Sequence, residues 1–364
     1  MHLMNMNAIR SGAGWLFLIA FIFFCNTACN KDEALIHFPS AASNNIDDEL
    51  LFEAVEKAEN DQGILSLIVY RNNDLIVERY FGNGGADSLH RTKSVTKSVT
   101  SILIGMAIDQ GYINHVDETV GDYLHEYLTP ADSTLARVTI RELLTMTGGF
   151  DWNELTDPEW IYWNNWVRSE DHFLFALQVP IIHEPGTHFT YCTTGCQILS
   201  GIFTKATGQT LKAFAEDELF TPLGIEGDRP WGEDHQGYNY GGVTLQLKAR
   251  DMLKIGQLFL NNGNFNGRQL VSESWVSSST SPQFENHNSM HFSNHYGYLW
   301  WLGEQQGRNY YFANGYGGQF ICVFPGLDLL VIAQSELNND YHEPGEQWMN
   351  TLSLIMNDIL PAVH

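Results

Sequence analysis

A long apolar stretch between Ser94 and Asp109 constrains the fold of this chain more than any other feature of the sequence. Apolar side chains recur along it at steps of four, three and four residues, which is the period of an α-helix (Val95, Val99, Ile102 and Met106). Ile104 and Ile108 add apolar surface on other faces, so the helix is predicted to be buried on most sides. We expect such a helix to lie where the other parts of the domain meet.

The first turn of this helix carries the spacing Ser94-x-x-Lys97, which puts the two Cβ atoms about 5–6 Å apart. A hydroxyl is a weak nucleophile until a neighbour takes its proton, and a lysine in a low dielectric has a depressed pKa and can act as that base. The positive end of the helix also suits a developing oxyanion at Ser94. The alternative is that Ser94 caps the helix and Lys97 extends to solvent, and the spacing alone does not decide between them.

Composition and charge restrict the class of protein. The 364 residues suffice for one large domain or two smaller ones, and 44% hydrophobic against 17% charged residues is typical of an ordered globular chain. The net charge of −24 and the absence of a basic patch argue against a nucleic-acid partner. The acidity does not identify a substrate.

The amino-terminal residues indicate export. Arg10 precedes an apolar run from Trp15 to Phe24, which is too short to span a bilayer and fits a secretory signal. The residues before Cys29 resemble the end of a bacterial lipoprotein signal, although Asn26 stands where an aliphatic residue is usual. We therefore predict an exported protein, periplasmic or at the cell surface, that contacts the membrane only through a lipid on Cys29.

The chain is predicted to divide into a signal, a tether and a domain. Residues 1–29 are the predicted signal peptide, and the polar, short-sided residues 30–46 are a predicted flexible tether. Residues 47–364 are the predicted folded domain.

The cysteines leave two interpretations open. Cys192, Cys196 and Cys322 follow the signal, an odd count without the spacing of a zinc site. Cys192 and Cys196 are near enough in sequence for a local disulfide, but buried free thiols fit equally well.

Strand patterns occur near both ends of the predicted domain, and helical patterns fill the middle. Two early segments form a hairpin by pattern, and four late segments are predicted strands (64–70, 75–81, 298–302, 310–313, 319–324 and 329–334). Helices are predicted beside them (47–59, 250–260, 273–279 and 346–359). We therefore predict an α/β fold, with one sheet built from both chain ends, flanking helices and an inserted all-helical lobe over about residues 95–230. The Ser94 helix would lie at their junction, where clefts usually form.

Two further stretches carry candidate residues. Tyr191 lies in a turn that leads into a helix, and a phenol in a cleft beside a lysine can transfer a proton. An ordinary loop tyrosine is the alternative. Residues 313–319 enter an apolar strand, and their glycines allow close approach of a ligand and an amide directed at an oxyanion. A plain hairpin turn explains those glycines equally well.

Other chemistries have weaker support in the sequence. His287, His291 and His295 are spaced by four residues, but the polar residues between them predict a loop rather than a metal-binding helix. No Gly-x-Ser-x-Gly elbow occurs, so the usual α/β-hydrolase signature is absent, and no phosphate-binding loop precedes a suitable helix. Residues 150–175 are rich in tryptophan, and packing of a lobe is favoured there over lining of a cleft (Trp152, Trp160, Trp163 and Trp166).

Taken in order, Ser94-x-x-Lys97, the Tyr191 motif and the glycine motif ahead of a late strand resemble the serine β-lactamase and penicillin-binding-protein superfamily. The resemblance is closer to its class C and esterase-like branch. Similarity extends over roughly residues 47–360, and three further phrases support it (143–149, 296–301 and 315–319).

The resemblance implies a β-lactamase/transpeptidase-like fold, with an antiparallel sheet, flanking helices, an all-helical lobe and a site between them. In such a site Ser94 would form an acyl-enzyme, Lys97 would activate it, and Tyr191 would pass the proton to the leaving group. The backbone amides of Ser94 and Tyr316 would form the oxyanion hole, and no metal or cofactor would be required. Residues of the glycine motif would contact the substrate (Asn314, Gly315 and Gly317).

Two departures from that branch affect the expected substrate. Thr193 stands where the branch often has asparagine, and Ala313-Asn314-Gly315 replaces a motif that usually begins with lysine or histidine. A cation there helps to bind a substrate carboxylate, so its absence argues against an efficient β-lactamase or carboxypeptidase. We expect an exported serine hydrolase that cleaves a small-molecule ester, amide or peptide. The alternatives are a low-turnover, penicillin-binding-like sensor or binding lipoprotein, and a β-lactamase or D-amino-acid peptidase.

Overall fold

Strands from both ends of the folded chain meet in one eight-stranded antiparallel sheet. Its order is β2-β1-β12-β11-β10-β9-β8-β7, and two small two-stranded sheets pair β3 with β4 and β5 with β6. The strands are β1 (Ile64–Arg71), β2 (Asp74–Tyr80), β3 (His90–Arg91), β4 (Gln246–Leu247), β5 (Asn264–Phe265), β6 (Arg268–Gln269), β7 (Phe284–Met290), β8 (Ser293–Tyr296), β9 (Trp301–Gln305), β10 (Arg308–Gly315), β11 (Gln319–Phe324) and β12 (Leu329–Ser335).

Helices flank this sheet and fill the middle of the chain. Two of them, α8 and α11, continue into π-helical segments, Glu216–Phe220 and Leu354–Ile359. The α-helices are α1 (Asp48–Asn60), α2 (Val95–Asp109), α3 (Val120–Leu124), α4 (Ile140–Leu144), α5 (Ile161–Val167), α6 (His172–Gln178), α7 (Thr193–Thr207), α8 (Leu211–Ala215), α9 (Ala249–Leu260), α10 (Glu273–Ser279) and α11 (Pro344–Ser353).

The structure is a computed structural model that describes residues 41–152, 154–155, 159–336 and 343–364, with the backbone alone at 287–289. The predicted signal peptide and Cys29 lie outside these residues, as does most of the predicted tether. The last part of the tether does not fit that prediction. Ala41 and Ile46 are buried, and Ile46 forms a β-bridge with Val363, so the packed domain begins upstream of residue 47.

The sheet confirms the predicted α/β fold with strands from both chain ends. Strand β1 pairs with β12, with Ile68 opposite Ile332, and β12 pairs in turn with β11. Every residue of these three strands is buried, because α1 and α9 pack against them. Buried and exposed side chains therefore do not alternate along β1, β11 and β12, as in sheets that are covered on both faces.

The prediction of a loop around the three spaced histidines was wrong. Residues 284–290 and 293–296 form the hairpin β7–β8 at one edge of the sheet, where Phe284 lies opposite Tyr296 and His295 opposite Leu302 of β9. The polar sequence hid these strands because an edge strand is held by backbone pairing rather than by burial of alternate side chains.

Helix α2 lies between the helical lobe and the sheet, as its apolar sequence predicts. Each residue from Val95 to Ala107 is buried. The helix contacts α7 and α8 on one side and β10 and β11 on the other. Gly105 permits one close approach, since a Cβ there would lie 2.4 Å from the Trp275 ring. The position of Ser94 is therefore fixed by packing on all sides of one helix.

Local sequence signals fix several helix ends near this junction. Thr139 and Glu142 form a capping box at the start of α4, in which each side chain accepts from the other residue's backbone amide. Helix α7 ends at Gly208, whose φ of 72° is left-handed, as is usual for a glycine after a helix.

A buried ion pair ties residues 228–247 to α9. Arg229 Nε and Nη2 donate to the two Asp251 carboxylate oxygens at 2.5 and 3.1 Å, and both side chains are at most 5% exposed. The same segment carries Gly242, whose carbonyl oxygen accepts a hydrogen bond from Lys97 Nζ. This pair therefore holds a segment that contributes directly to the surroundings of Lys97.

We predict that Arg229→Met lowers the free energy of unfolding by about 3–5 kcal/mol, because it leaves the Asp251 carboxylate buried without its partner. Arg250→Met is the matched control, since Arg250 pairs with Glu78 but is 59% exposed, and it should cost no more than about 1 kcal/mol. Urea denaturation followed by circular dichroism measures both. Equal losses in the two variants would contradict the structural role of the buried pair.

Candidate active site

Ser94 lies immediately before α2, and its side chain does not cap the helix. Its Oγ instead accepts a hydrogen bond from Lys97 Nζ at 2.9 Å. Lys93, the preceding residue, has a left-handed backbone with φ of 51°, and its carbonyl oxygen accepts a hydrogen bond from Thr96 N. The turn therefore directs Ser94 towards Lys97, and the interpretation of Ser94 as a plain helix cap does not hold.

Lys97 is fully buried, so it does not extend to solvent. Its ammonium donates to three oxygens, namely Ser94 Oγ at 2.9 Å, Thr193 Oγ1 at 2.8 Å and the Gly242 carbonyl at 3.2 Å. A lysine ammonium has three donors and no acceptor, so this environment matches its protonated form. The three acceptors come from the residue that precedes α2, from α7 and from the 228–247 segment, and they converge on this one nitrogen.

Tyr191 lies two residues before α7, and its ring is held against Lys97. Lys97 Nζ lies 4.7 Å from the centre of the Tyr191 ring, and Trp301 stacks on the ring at 5.3 Å. Ser94 and Tyr191 both line the same cavity. The structure therefore brings the three residues singled out in the sequence, Ser94, Lys97 and Tyr191, into one cluster.

The charges in this cluster follow from burial and from one nearby carboxylate. Burial raises the pKa of Tyr191, and the Lys97 charge offsets only part of that rise. Burial lowers the pKa of Lys97, whereas the Tyr191 and Glu154 oxygens raise it, and the net direction is upward. At neutral pH Lys97 is therefore an ammonium and Tyr191 an uncharged phenol. The depressed pKa expected of Lys97 from burial alone is not found, because the Tyr191 oxygen first and then the Glu154 carboxylate raise it.

Glu154 was not identified from the sequence. Its Oε1 accepts from the Thr193 hydroxyl at 2.9 Å, and its Oε2 accepts from Thr193 N at 3.1 Å and from Trp152 Nε1 at 3.0 Å. It stands in an aromatic loop without a recognisable motif, and only the tertiary fold brings it to the start of α7.

A cavity of about 760 Å³ opens above this cluster. Predicted site residues from distant parts of the chain lie in its wall, as do several aromatic side chains. The lining includes Ser94, Glu154, Trp160, Trp163, Tyr191, Asn314, Tyr316 and Trp348. Lys97 lies beneath the floor, in contact with Ser94. The arrangement presents the Ser94 hydroxyl to a small molecule in a largely aromatic cleft.

The glycine motif forms the turn between β10 and β11 and faces the cavity with two of its residues. Asn314 accepts a hydrogen bond from Trp348 Nε1 at 2.6 Å, and the Tyr316 ring meets Trp160 edge-on at 5.3 Å. Gly315 and Gly317 are not among the residues that line the cavity. Gly315 instead allows close packing, since a Cβ there would lie 2.2 Å from the Thr92 carbonyl oxygen.

The backbone amides of Ser94 and Tyr316 are the predicted oxyanion hole. Among the residues that the structure describes, neither Ser94 N nor Tyr316 N donates a hydrogen bond to a backbone or side-chain oxygen. Both residues line the same cavity. Free amides beside a hydroxyl are the donors that a developing oxyanion requires.

Lys93 places a cation in the cleft, and no motif in the sequence pointed to this residue. It lines the cavity beside Ser94 and is partly buried. Burial first, and then the neighbouring Arg91, lowers the pKa of its ammonium. Lys93 therefore gives the cleft a cationic residue, although the glycine motif lacks the lysine or histidine with which it usually begins.

Packing explains two of the four tryptophans in residues 150–175, and the other two line the cleft. Trp152 and Trp166 are buried, as packing predicts, whereas Trp160 and Trp163 line the cavity.

All three cysteines of the domain are buried free thiols, so the local disulfide does not form (Cys192, Cys196 and Cys322).

The described residues contain neither a cluster of side chains suited to a metal ion nor a helix able to span a membrane. Within those residues, no group of three or more histidine, cysteine, aspartate or glutamate side chains is arranged to hold a metal ion. None of the helices in that part of the chain is long and apolar enough to cross a membrane.

Comparison with known proteins identifies the family. The model of the family described as Beta-lactamase matches residues 52–354, which is most of the chain, so this protein belongs to the β-lactamase family. A 6-aminohexanoate-dimer hydrolase of Paenarthrobacter ureafaciens is 24% identical over 223 residues, which are 58% of this chain and 56% of that protein. The match thus spans little more than half the length of that relative.

Solved structures show the same fold at low identity. A penicillin-binding protein homologue from Pyrococcus abyssi has a TM-score of 0.65 at 19% identity, over 85% of this chain and 77% of that one. EstCE1, a hydrolase with promiscuous acyltransferase activity, has a TM-score of 0.65 at 16% identity, over 87% of this chain and all of that one. The fold inferred from the sequence resemblance is therefore confirmed.

Proposed function

We propose that this protein is an exported serine hydrolase that cleaves an ester or amide bond through an acyl-enzyme on Ser94. One observation carries the proposal: the Ser94 hydroxyl lies at an open cavity and is hydrogen-bonded to the fully buried Lys97 ammonium, which lies against the Tyr191 ring. A serine with a purely structural role has no need of a buried cation, which is costly to desolvate. Membership of the β-lactamase family and the hydrolases among the similar proteins support the same class of reaction.

Acylation follows from the positions of these groups. In the reactive state Lys97 is the uncharged amine and accepts the Ser94 proton while Oγ bonds to the substrate carbonyl carbon. The carbonyl electrons move onto oxygen, where the free amides of Ser94 and Tyr316 stabilise the charge. The Tyr191 phenol then protonates the leaving group and takes a proton back from the Lys97 ammonium.

Deacylation uses the same groups in the reverse direction. Water attacks the acyl carbon and gives its proton through Tyr191 to Lys97, while the amides again hold the oxyanion. The acyl carbon–Oγ bond breaks, and Ser94 recovers its proton from the Lys97 ammonium. The products are the free acid and an unmodified enzyme, so no metal or cofactor enters any step.

The cleft favours an ester or amide with a substantial apolar part. Trp160, Trp163 and Trp348 line it, and Ala313 stands where the glycine motif of the resembling branch usually begins with a lysine or histidine. One similar protein is named as a 6-aminohexanoate-dimer hydrolase and another as a hydrolase with acyltransferase activity. These names support a hydrolase of esters or amides rather than one restricted to β-lactams.

We predict that Ser94→Ala lowers kcat/KM for p-nitrophenyl esters by several orders of magnitude, because it removes the covalent step. Ser101→Ala is the matched control, since this buried hydroxyl lies on the same helix and has no hydrogen-bond partner among the described residues, and full activity is expected. Steady-state assays over a panel of acyl lengths measure both. Wild-type rates in Ser94→Ala would rule out the proposal, and acylation without release would instead support a sensor.

Lys93 supports a second candidate, a β-lactamase or D-amino-acid peptidase, because it places a cation beside Ser94 where a substrate carboxylate could bind. If it binds such a group, Lys93→Met should raise KM for carboxylate-bearing substrates by about three- to tenfold and leave neutral esters unchanged. Arg91→Met is the control, since Arg91 is exposed and does not line the cavity. An equal change for charged and neutral substrates would exclude this role of Lys93.

We also propose that Cys29 is lipidated and anchors the protein to a membrane, on the strength of the apolar run and the residues before Cys29. Expressed as the full chain in a bacterium, the wild-type protein should fractionate with membranes and take up labelled fatty acid. Cys29→Ala should do neither, whereas Cys25→Ala should behave as wild type. Labelling that persists in Cys29→Ala would overturn the assignment.

A further inference from the structure

We propose that Glu154, acting through the Thr193 hydroxyl, is a positioning residue that balances the charge of Lys97 during attack by Ser94. The inference deepens the proposed function and rests on it, since it concerns the same site. The sequence motifs identify a serine, a lysine and a tyrosine, and this inference adds the Glu154 carboxylate to them.

A directed chain of hydrogen bonds carries the inference. Lys97 Nζ lies 2.8 Å from Thr193 Oγ1, which lies 2.9 Å from Glu154 Oε1. A carboxylate only accepts and an ammonium only donates, so the single Thr193 proton points to Glu154 and its oxygen accepts from Lys97. Hydrogen bonds aligned in this way polarise one another.

Glu154 is itself held in place from two sides. Its Oε2 accepts from Thr193 N and from Trp152 Nε1, so both oxygens are engaged and the carboxylate is fixed at the start of α7. A freely moving surface glutamate would not hold a constant distance from Lys97. This one therefore acts as a preorganised negative charge near the buried ammonium.

Glu154 is also the carboxylate among the titratable groups that face Lys97 within the described part of the chain. The other titratable groups facing Lys97 within the described part of the chain are Tyr191, Cys192 and Cys196. Burial raises the pKa of Tyr191 and raises the pKa of each of these two thiols to about 12, so all three are uncharged. The Gly242 carbonyl and the Ser94 hydroxyl supply only dipoles.

The identity of residue 193 fits this role. An asparagine, common at this position in the branch that the sequence resembles, offers a carbonyl to the lysine and needs no anion behind it. A threonine hydroxyl that accepts from Lys97 must place its own proton on another acceptor, and Glu154 provides it. The threonine and the glutamate therefore act as one unit.

The effect on the reaction has a definite sign. As Ser94 Oγ bonds to the carbonyl carbon, its proton moves to Lys97 Nζ, which becomes positive, while Thr193 keeps its proton and Glu154 remains a carboxylate. The fixed negative charge stabilises the ammonium that forms in this step. It also stabilises the resting ammonium, so it raises the pH at which Lys97 becomes the free base.

Glu154→Gln should therefore change the pH dependence in a specific way. The acid limb of the rate at which a fluorophosphonate inactivates Ser94 should move to lower pH by on the order of one unit, and the plateau should fall about tenfold or more. Thr193→Val should lower the plateau as well, because it removes the bridge, whereas Thr193→Ser should keep the wild-type acid limb. Glu170→Gln, which changes an exposed carboxylate of the same lobe, is the control.

The outcomes separate this inference from the proposed function. Two results would overturn the role of Glu154 and leave the acyl-enzyme on Ser94 unaffected. One is an unchanged acid limb in a folded Glu154→Gln variant, and the other is a Thr193→Ser variant that behaves as Thr193→Val. If Glu154→Gln does not fold, the comparison of the two Thr193 variants decides. No labelling of Ser94 in the wild-type protein overturns both proposals. A structural role would lower stability without moving the acid limb, which thermal unfolding of each variant reveals.

Discussion

The buried ammonium of Lys97 is the constraint on which the rest of the site depends. Moving a charged group of this size out of water costs several kcal/mol unless hydrogen bonds and an opposite charge compensate. Here three acceptors converge on it from the residue that precedes α2, from α7 and from the 228–247 segment, with Glu154 behind Thr193. Each of these elements must be in place for the charge to be tolerated, so the folding of the domain and the assembly of the site are coupled.

The fold supplies that convergence through the position of one helix. Helix α2 is packed on both sides, by the lobe and by the sheet, and this fixes Ser94 and Lys97 relative to α7. The turn after β10 approaches the same point, since Gly315 packs against the Thr92 carbonyl just before the helix. The two free amides, of Ser94 and Tyr316, are thereby held at one cavity although they come from opposite parts of the chain.

Much of this arrangement could be predicted from the sequence, because periodicity reports burial. The apolar run of α2 and the buried late strands were recognisable, and the ordered motifs placed Ser94, Lys97 and Tyr191 together. What escaped prediction depends on tertiary contacts. The edge hairpin β7–β8 has a polar sequence, and Glu154 and Lys93 lie in loops where no spacing marks them. The upward shift of the Lys97 pKa follows from Tyr191 and Glu154 together, and it was missed because only the tertiary fold brings these two residues to Lys97.

The most direct test of the account is mass spectrometry of the protein quenched in acid during turnover of a p-nitrophenyl ester. The account predicts a mass increase equal to the acyl group, mapped to the peptide that contains Ser94 and absent from Ser94→Ala. Turnover with no adduct, or with an adduct on another residue, would contradict the acyl-enzyme and with it the role assigned to the buried lysine.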